Sequence, residues 1–226
     1  MTATTPLIVD VVSDLVCPWC FIGKRKLESA LAEFVRAQPS ADVNVRWHPF
    51  QLNPDLPAGG IPRAAYLAQK FGSARATEVY ARVERAGDAE GIAFRFDRIQ
   101  TQPNTFDAHR LVAWAQTQRN AGELVERLFR AFFLEGRSIG DADELARLAA
   151  ECGWRKEDAR EMLASDALRD VVTGESREAV DAGIQGVPCF IFNGRIAVSG
   201  AQGAPVLLQA IATARGEVPT GYPAPG

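Results

Sequence analysis

The run Leu7-Ile8-Val9-Asp10-Val11-Val12-Ser13-Asp14-Leu15-Val16-Cys17-Pro18-Trp19-Cys20 decides the fold. An apolar, β-branched segment ends in a short polar turn. Cys17-Pro18-Trp19-Cys20 then opens a stretch in which Leu27, Ala30, Leu31 and Phe34 recur on one helical face. Proline is favoured at the first position of a helix, where its missing N–H costs nothing. Cys17 is therefore expected at the helix N-terminus, where unpaired N–H groups and the positive end of the dipole favour an anion. Such a setting lowers the pKa of a cysteine and supplies a thiolate nucleophile. Cys20 falls one turn further in, within reach of a mixed disulfide on Cys17. The spacing reads as a redox pair.

Outward from this stretch, the first helix is expected to fade near Gln38-Pro39, and residues 43–50 form a strand that Pro49 closes. Strand, helix and strand in that order predict a right-handed crossover with parallel strands. The Pro- and Gly-rich segment 53–60 is a loop. An α-rich region follows, with helices over 62–71 and 74–89 and a short extended piece at Phe94-Arg95-Phe96. Asn104 is expected to cap the next helix, with Asp107 completing a capping box. Leu124, Val125, Leu128, Phe129, Phe132 and Phe133 form a wide apolar stripe, read as core. Asp141 with Glu144 makes a second capping pair, Gly153 a stop, and 157–163 and 167–182 further helices. Cys189-Phe190-Ile191-Phe192 and Arg195-Ile196-Ala197-Val198 flank Asn193-Gly194, the strongest short hairpin signal. A last helix spans 204–214, and the Pro- and Gly-rich tail after Val218 is expected to fray. The fold class is α/β with a mixed sheet.

A chain of 226 residues, 47% hydrophobic and 23% charged, has the composition of an ordinary globular protein. A formal charge of −3 argues against nucleic acid or an anionic membrane surface as a partner. The first basic residue is Lys24, and no apolar run is long enough to span a bilayer, so a cytoplasmic location is expected. Four cysteines are few for a disulfide scaffold at this length. Cys152 and Cys189 are not closely paired and there are only two histidines, so no metal site is expected. His48 and His109 have no neighbour in sequence that completes a catalytic unit and are read as structural. Lys24, Arg25 and Lys26 read as a solvated helix face. Gly186-Val187-Pro188 precedes the hairpin, and a proline there can simply begin a strand.

Four stretches together carry a family resemblance: Ser13-Asp14-Leu15-Val16-Cys17-Pro18-Trp19-Cys20-Phe21-Ile22-Gly23, Phe50-Gln51-Leu52-Asn53-Pro54, Asn104-Thr105-Phe106-Asp107-Ala108-His109-Arg110-Leu111, and Gly186-Val187-Pro188. In this order they resemble the DsbA-family oxidoreductases, and most of all their FrnE-like branch. The resemblance implies a thioredoxin-like domain of residues 1–52 and 167–226, with 53–166 as an inserted α-helical domain. It implies Cys17 and Cys20 as the catalytic pair, with Pro18, Trp19, Val187 and a cis-Pro188 binding substrate. Thioredoxin-like enzymes often place a buried acid six residues before the first cysteine. Val11 stands there in this chain, leaving Asp14 as the candidate proton carrier. Cys189 is expected to be a buried apolar thiol.

The activity so implied is dithiol–disulfide exchange or isomerisation without a bound cofactor, on protein or small-molecule thiols and disulfides. Glutathione is an expected thiol partner, and a monomer or homodimer is the expected form. The same order of elements is also similar to kappa-class glutathione transferases and chromene-carboxylate isomerases, which generally carry serine at the position of Cys17. That likeness keeps a glutathione-dependent isomerase or transferase as the alternative. A third reading is a holdase-like protein whose helical part binds partners and whose C-x-x-C is inert.

Overall fold

The computed structural model describes residues 6–217, apart from the side chains of 73–76. The expectation for the tail after Val218 lies outside the described residues. β1 (Leu7–Ser13) runs through the centre of the molecule, with Leu7, Val9 and Val11 buried to 1% exposure or less. α1 (Pro18–Ala37) begins with its proline in the first turn and turns Phe21, Ile22, Leu27, Ala30 and Phe34 inward. β2 (Val43–Pro49) returns parallel to β1, Val9 opposite Val45.

Lys24 does not lie on a solvated face. It is 5% exposed and forms ion pairs with Glu28 and Glu126, because the helical region folds across this side of α1 and supplies the counter-charge.

The helical region opens with β3 (Ile61–Pro62) and α2 (Arg63–Asp88), which breaks at Gly72 (φ 69°, ψ 162°), a conformation that glycine adopts at little cost. Residues 94–96 are not a strand. The Arg95 amide donates to the Phe133 carbonyl, and Phe94 stacks on Phe96 with centroids 4.8 Å apart. Aromatic packing against Phe133, rather than strand pairing, sets their shape. β4 (Thr101–Gln102) then pairs with β3.

α3 (Phe106–Gln116) is capped at Thr105, one residue later than the expected Asn104. The Asn104 side chain instead accepts from the Phe106 amide and donates to the Leu56 carbonyl, tying a distant loop to the helix start. Asp107 bonds Arg110 at 2.7 Å rather than closing a box. α4 (Gly122–Arg130) widens into a π-turn at Ala131–Glu135, and Phe129, Phe132 and Phe133 are core. α5 (Ala142–Glu151) is capped by Asp141, which accepts from the Glu144 amide at 2.8 Å. α6 (Lys156–Ala164) and α7 (Arg169–Asp181) lead back to the sheet.

β5 (Cys189–Phe192) and β6 (Ile196–Ser199) form the hairpin through Asn193 and Gly194, both at positive φ. α8 (Ala204–Ala214) is the last helix among the described residues. The sheet order is β2-β1-β5-β6, with β1 and β5 antiparallel, the mixed sheet of a thioredoxin-like α/β fold. The core is continuous between sheet and helical region: Phe21 of α1 stacks on Phe129 of α4 with centroids 5.1 Å apart.

Two polar clusters fasten the periphery. Arg110, 1% exposed, donates to the carbonyls of Met162, Leu163, Ser165 and Ala167, where α6 ends. His48 lies between Glu175 of α7 at 3.1 Å and Asp10 of β1 at 2.9 Å. Its pKa is raised, chiefly by the hydrogen bond to Glu175 and despite burial, with Asp10 adding to the effect.

Two stability predictions follow from these clusters. Arg110→Ala strands buried carbonyls and should lower the urea unfolding free energy by about 3 kcal/mol or more. Protonated His48 stabilises the folded state. That contribution is complete below the unfolded pKa of about 6.5 and is lost as pH rises through the higher folded value. Between pH 6 and pH 8 it should amount to about 1 kcal/mol or less, given the partial exposure, and His48→Gln should flatten the urea midpoint over that range.

Candidate active site

Cys17 occupies the capping position of α1 in an extended conformation (φ −93°, ψ 113°), so its sulfur stands where a capping oxygen would. Its amide donates to the Asp14 carbonyl at 3.0 Å, and its own carbonyl accepts from the Cys20 amide at 3.0 Å. Both cysteines are thiols and both are buried. Cys17 Sγ lies 3.6 Å from the Val187 carbonyl oxygen, and the Val187–Pro188 peptide is cis. Gly23 makes this approach possible: a Cβ there would meet Pro188 Cγ at 2.8 Å and Phe190 Cζ at 3.0 Å. Cysteine pair and proline loop therefore touch across a glycine on α1.

The two sulfurs differ in their surroundings. Burial pushes the Cys20 thiol well above its ordinary range and the adjacent Cys17 sulfur adds to this, against smaller opposing effects from the Ser13 hydroxyl and the Asp14 amide. Cys20 thus keeps its proton until something close by removes it. Trp19 is half-buried at the rim, with the Arg82 guanidinium 6.0 Å from its ring. Tyr80 of α2 lies near enough to Cys17 for the sulfur to disfavour the phenolate, although burial is the larger cause of its raised pKa. Arg63 donates to Tyr80 and to Gln102.

Asp14 is completely buried, more than an ordinary turn residue requires. One carboxylate oxygen accepts from the Leu52 amide at 2.8 Å; the other lies 3.5 Å from both the Val16 amide and His109 Nε2. Gln51 donates to Asn104 at 3.0 Å. Three stretches far apart in sequence thus meet beside the C-x-x-C. His109, read from sequence as structural, is one of the groups that do so. Its neighbours Ala108, Leu111 and Val112 are core, and a histidine on such a face was the available signal.

Tyr80 and Arg82 escaped sequence reasoning, since only the fold brings them near the pair. His48 lies outside this group, with Asp10 and Glu175. Cys189 is buried among Val12 and Ala179, and burial raises its pKa. Cys152 is pushed up to about 11, mainly by burial. Among the described residues no three His, Cys, Asp or Glu side chains form a group that could hold a metal ion, and no helix is long and apolar enough to cross a membrane.

Residues 8–212 match the family described as the DSBA-like thioredoxin domain. The uncharacterized protein YwbO of Bacillus subtilis (strain 168) is 31% identical over 208 residues, which span 90% of this chain and 94% of that protein. A probable DsbA oxidoreductase from Streptomyces coelicolor shares the fold with a TM-score of 0.84 at 33% identity, covering 96% of this chain and 94% of its own. The cytosolic disulfide reductase DsbM from Pseudomonas aeruginosa, solved with GSH, is alike in fold at TM-score 0.63 and 20% identity, over 92% of this chain and 96% of its own. With nearly all of the described chain matched, and the fold shared end to end with a protein one-third identical, this chain belongs to the DsbA-like thioredoxin-domain family.

Proposed function

We propose that this protein is a dithiol–disulfide oxidoreductase or isomerase in which Cys17 is the nucleophile and Cys20 the resolving thiol. The observation that carries this reading is the asymmetry of the pair. Cys17 opens α1 beside the Val187 carbonyl, whereas Cys20 sits one turn deeper with its proton held by burial. In the forward direction the Cys17 thiolate attacks a substrate disulfide, and one substrate sulfur leaves as a thiol. Cys20 then attacks the mixed disulfide, the second substrate sulfur leaves, and the protein carries a Cys17–Cys20 disulfide. The two electrons given up by the dithiol reduce the substrate bond.

Pro18 and Trp19 would border the substrate, and the Val187 backbone beside Pro188 would pair with an extended segment of it. Suitable substrates are proteins or small molecules bearing thiols or disulfides. Glutathione is the proposed thiol partner, in keeping with the DsbM structure solved with GSH. The chemistry calls for no bound cofactor, and the proposed form is a monomer or homodimer. The cytoplasm is the proposed compartment, matching the cytosolic location named for DsbM.

Exchange with oxidised glutathione, followed by mass spectrometry of acid-quenched samples, tests this reading. Cys17→Ser should lose exchange by at least about a hundredfold. Cys20→Ser should accumulate one glutathione per chain on Cys17. Retention of most activity in Cys17→Ser would move the protein to the glutathione-dependent isomerase class. The contact between α1 and Pro188 generates a further expectation. Gly23→Ala forces the proline loop off the cysteine pair, so exchange with a peptide disulfide should fall about tenfold or more, with the fold retained by circular dichroism.

A further inference from the structure

The basic residues around the cysteine pair divide into two groups. Lys24 and Arg25 of α1 are neutralised by Glu28 and Glu126. Lys26 forms no ion pair among the described residues. Its ammonium donates to the Ala201 carbonyl at 3.0 Å, and Ala201 lies against Gly23, where Pro188 also packs. Arg82 of α2 is exposed, and it too has no carboxylate partner among the described residues, Glu78 and Glu84 of its own helix included. Its guanidinium lies over the Trp19 ring instead, 6.0 Å from the centroid, at the outer reach of a cation–π contact. Arg63, at the start of α2, is only 8% exposed, yet it donates to the neutral groups of Tyr80 and Gln102. Buried cations are ordinarily paired with an acid.

The chain as a whole carries a formal charge of −3, so it has no general attraction for anions. The uncompensated positive charge is local. Exposed charges act over about one Debye length, roughly 8 Å at physiological salt, so a cation seated on Trp19 acts on whatever docks at the pair and little beyond it. An exposed arginine needs no acid for its own solvation. What singles out Arg82 is its seat on a residue that stands between the two cysteines. We propose that Arg82 selects disulfides that carry carboxylates close to their sulfurs, with Lys26 adding a preference of the same sign. The inference rests on Cys17 and Cys20 being an exchanging pair, and it names the substrate class of that pair.

In the step concerned, the Cys17 thiolate bonds to one substrate sulfur and the substrate S–S bond breaks. The second sulfur leaves as a thiolate that takes its proton from solvent. One S–S bond forms as one breaks, so no further oxidant or reductant enters. A carboxylate a few bonds from the attacked sulfur comes beside Trp19 as the mixed disulfide forms. There the planar guanidinium of Arg82 offers it a pair of parallel N–H···O bonds. Arg82 meets the carboxylate and not the reacting sulfurs, so it sets specificity rather than the chemistry. Glutathione disulfide and a peptide disulfide flanked by aspartate both present this group.

Exchange of the reduced protein with three disulfides of similar size separates charge from reactivity: dithiodipropionate with two carboxylates, cystamine with two ammonium groups, and neutral bis(hydroxyethyl) disulfide. Dividing the first two rates by the third removes any change in the reactivity of Cys17 itself. Measured against a short cysteine peptide at low salt, the parent should prefer dithiodipropionate to cystamine by about tenfold, and the preference should fade as salt rises to about 0.5 M. Arg82→Gln should cut it about fivefold, Arg82→Lys should keep most of it, and Arg82→Gln with Lys26→Gln should abolish it. Of glutathione disulfide and the aspartate-flanked peptide disulfide, the one that Arg82→Gln slows more is the natural source of the carboxylate. A preference unchanged in Arg82→Gln protein whose fold is retained by circular dichroism, or a parent with no preference beyond that of the peptide, would overturn the assignment while leaving the redox function intact. A parent that exchanges with none of these disulfides would overturn the redox reading, and this inference with it.

Discussion

A carboxylate taken wholly out of water is costly unless the protein surrounds it with donors, and the site is built around meeting that demand at Asp14. Its side chain accepts from the Leu52 amide beyond β2 and lies 3.5 Å from the Val16 amide and His109 Nε2, while its carbonyl accepts from the Cys17 amide. One residue thereby fixes the distance between the end of β1, the segment after β2 and the helix α3. Cys17 is anchored to that point, so its place at the head of α1 depends on contacts with Leu52 and His109, far along the chain. Replacing the carboxylate with an apolar side chain would release three segments together.

The second constraint is the difference in position between two identical side chains. A helix that starts at Pro18 puts Cys17 in the capping position and Cys20 on the first inward turn. No special residue is needed to make them unequal, since the helix start sets one thiol at the terminus beside the Val187 carbonyl and the other one turn further in, although both belong to the core.

The elements set by local rules were legible in the sequence. The proline-started α1, the Asn193-Gly194 hairpin with both residues at positive φ, and the Asp141 cap on α5 all stand where the residues indicate. Elsewhere a distant partner outbid the local preference. Asn104 has the side chain of a capping residue, but the Leu56 carbonyl and Gln51 claim it, and the cap passes to Thr105. Phe94 and Phe96 have strand propensity, yet stacking on each other and edge-on packing against Phe133 fix their backbone instead. Lys24 reads as solvated until Glu126 arrives from α4. Most tellingly, the acid nearest His109 in sequence, Asp107, bonds Arg110, and only the packing of α3 brings His109 to Asp14.

That last case bears on what the helical region contributes. Phe129 stacks flat on Phe21, one residue past Cys20, and α3 carries His109 to within 3.5 Å of Asp14. Helices α3 and α4 therefore do not hang beside a site complete without them: α4 packs behind α1, and α3 brings a polar group to the turn before it. Helical region and site share a core, so substitutions deep within α3 or α4 will register at the cysteines through the geometry of Phe21 and Asp14 even though they touch neither sulfur.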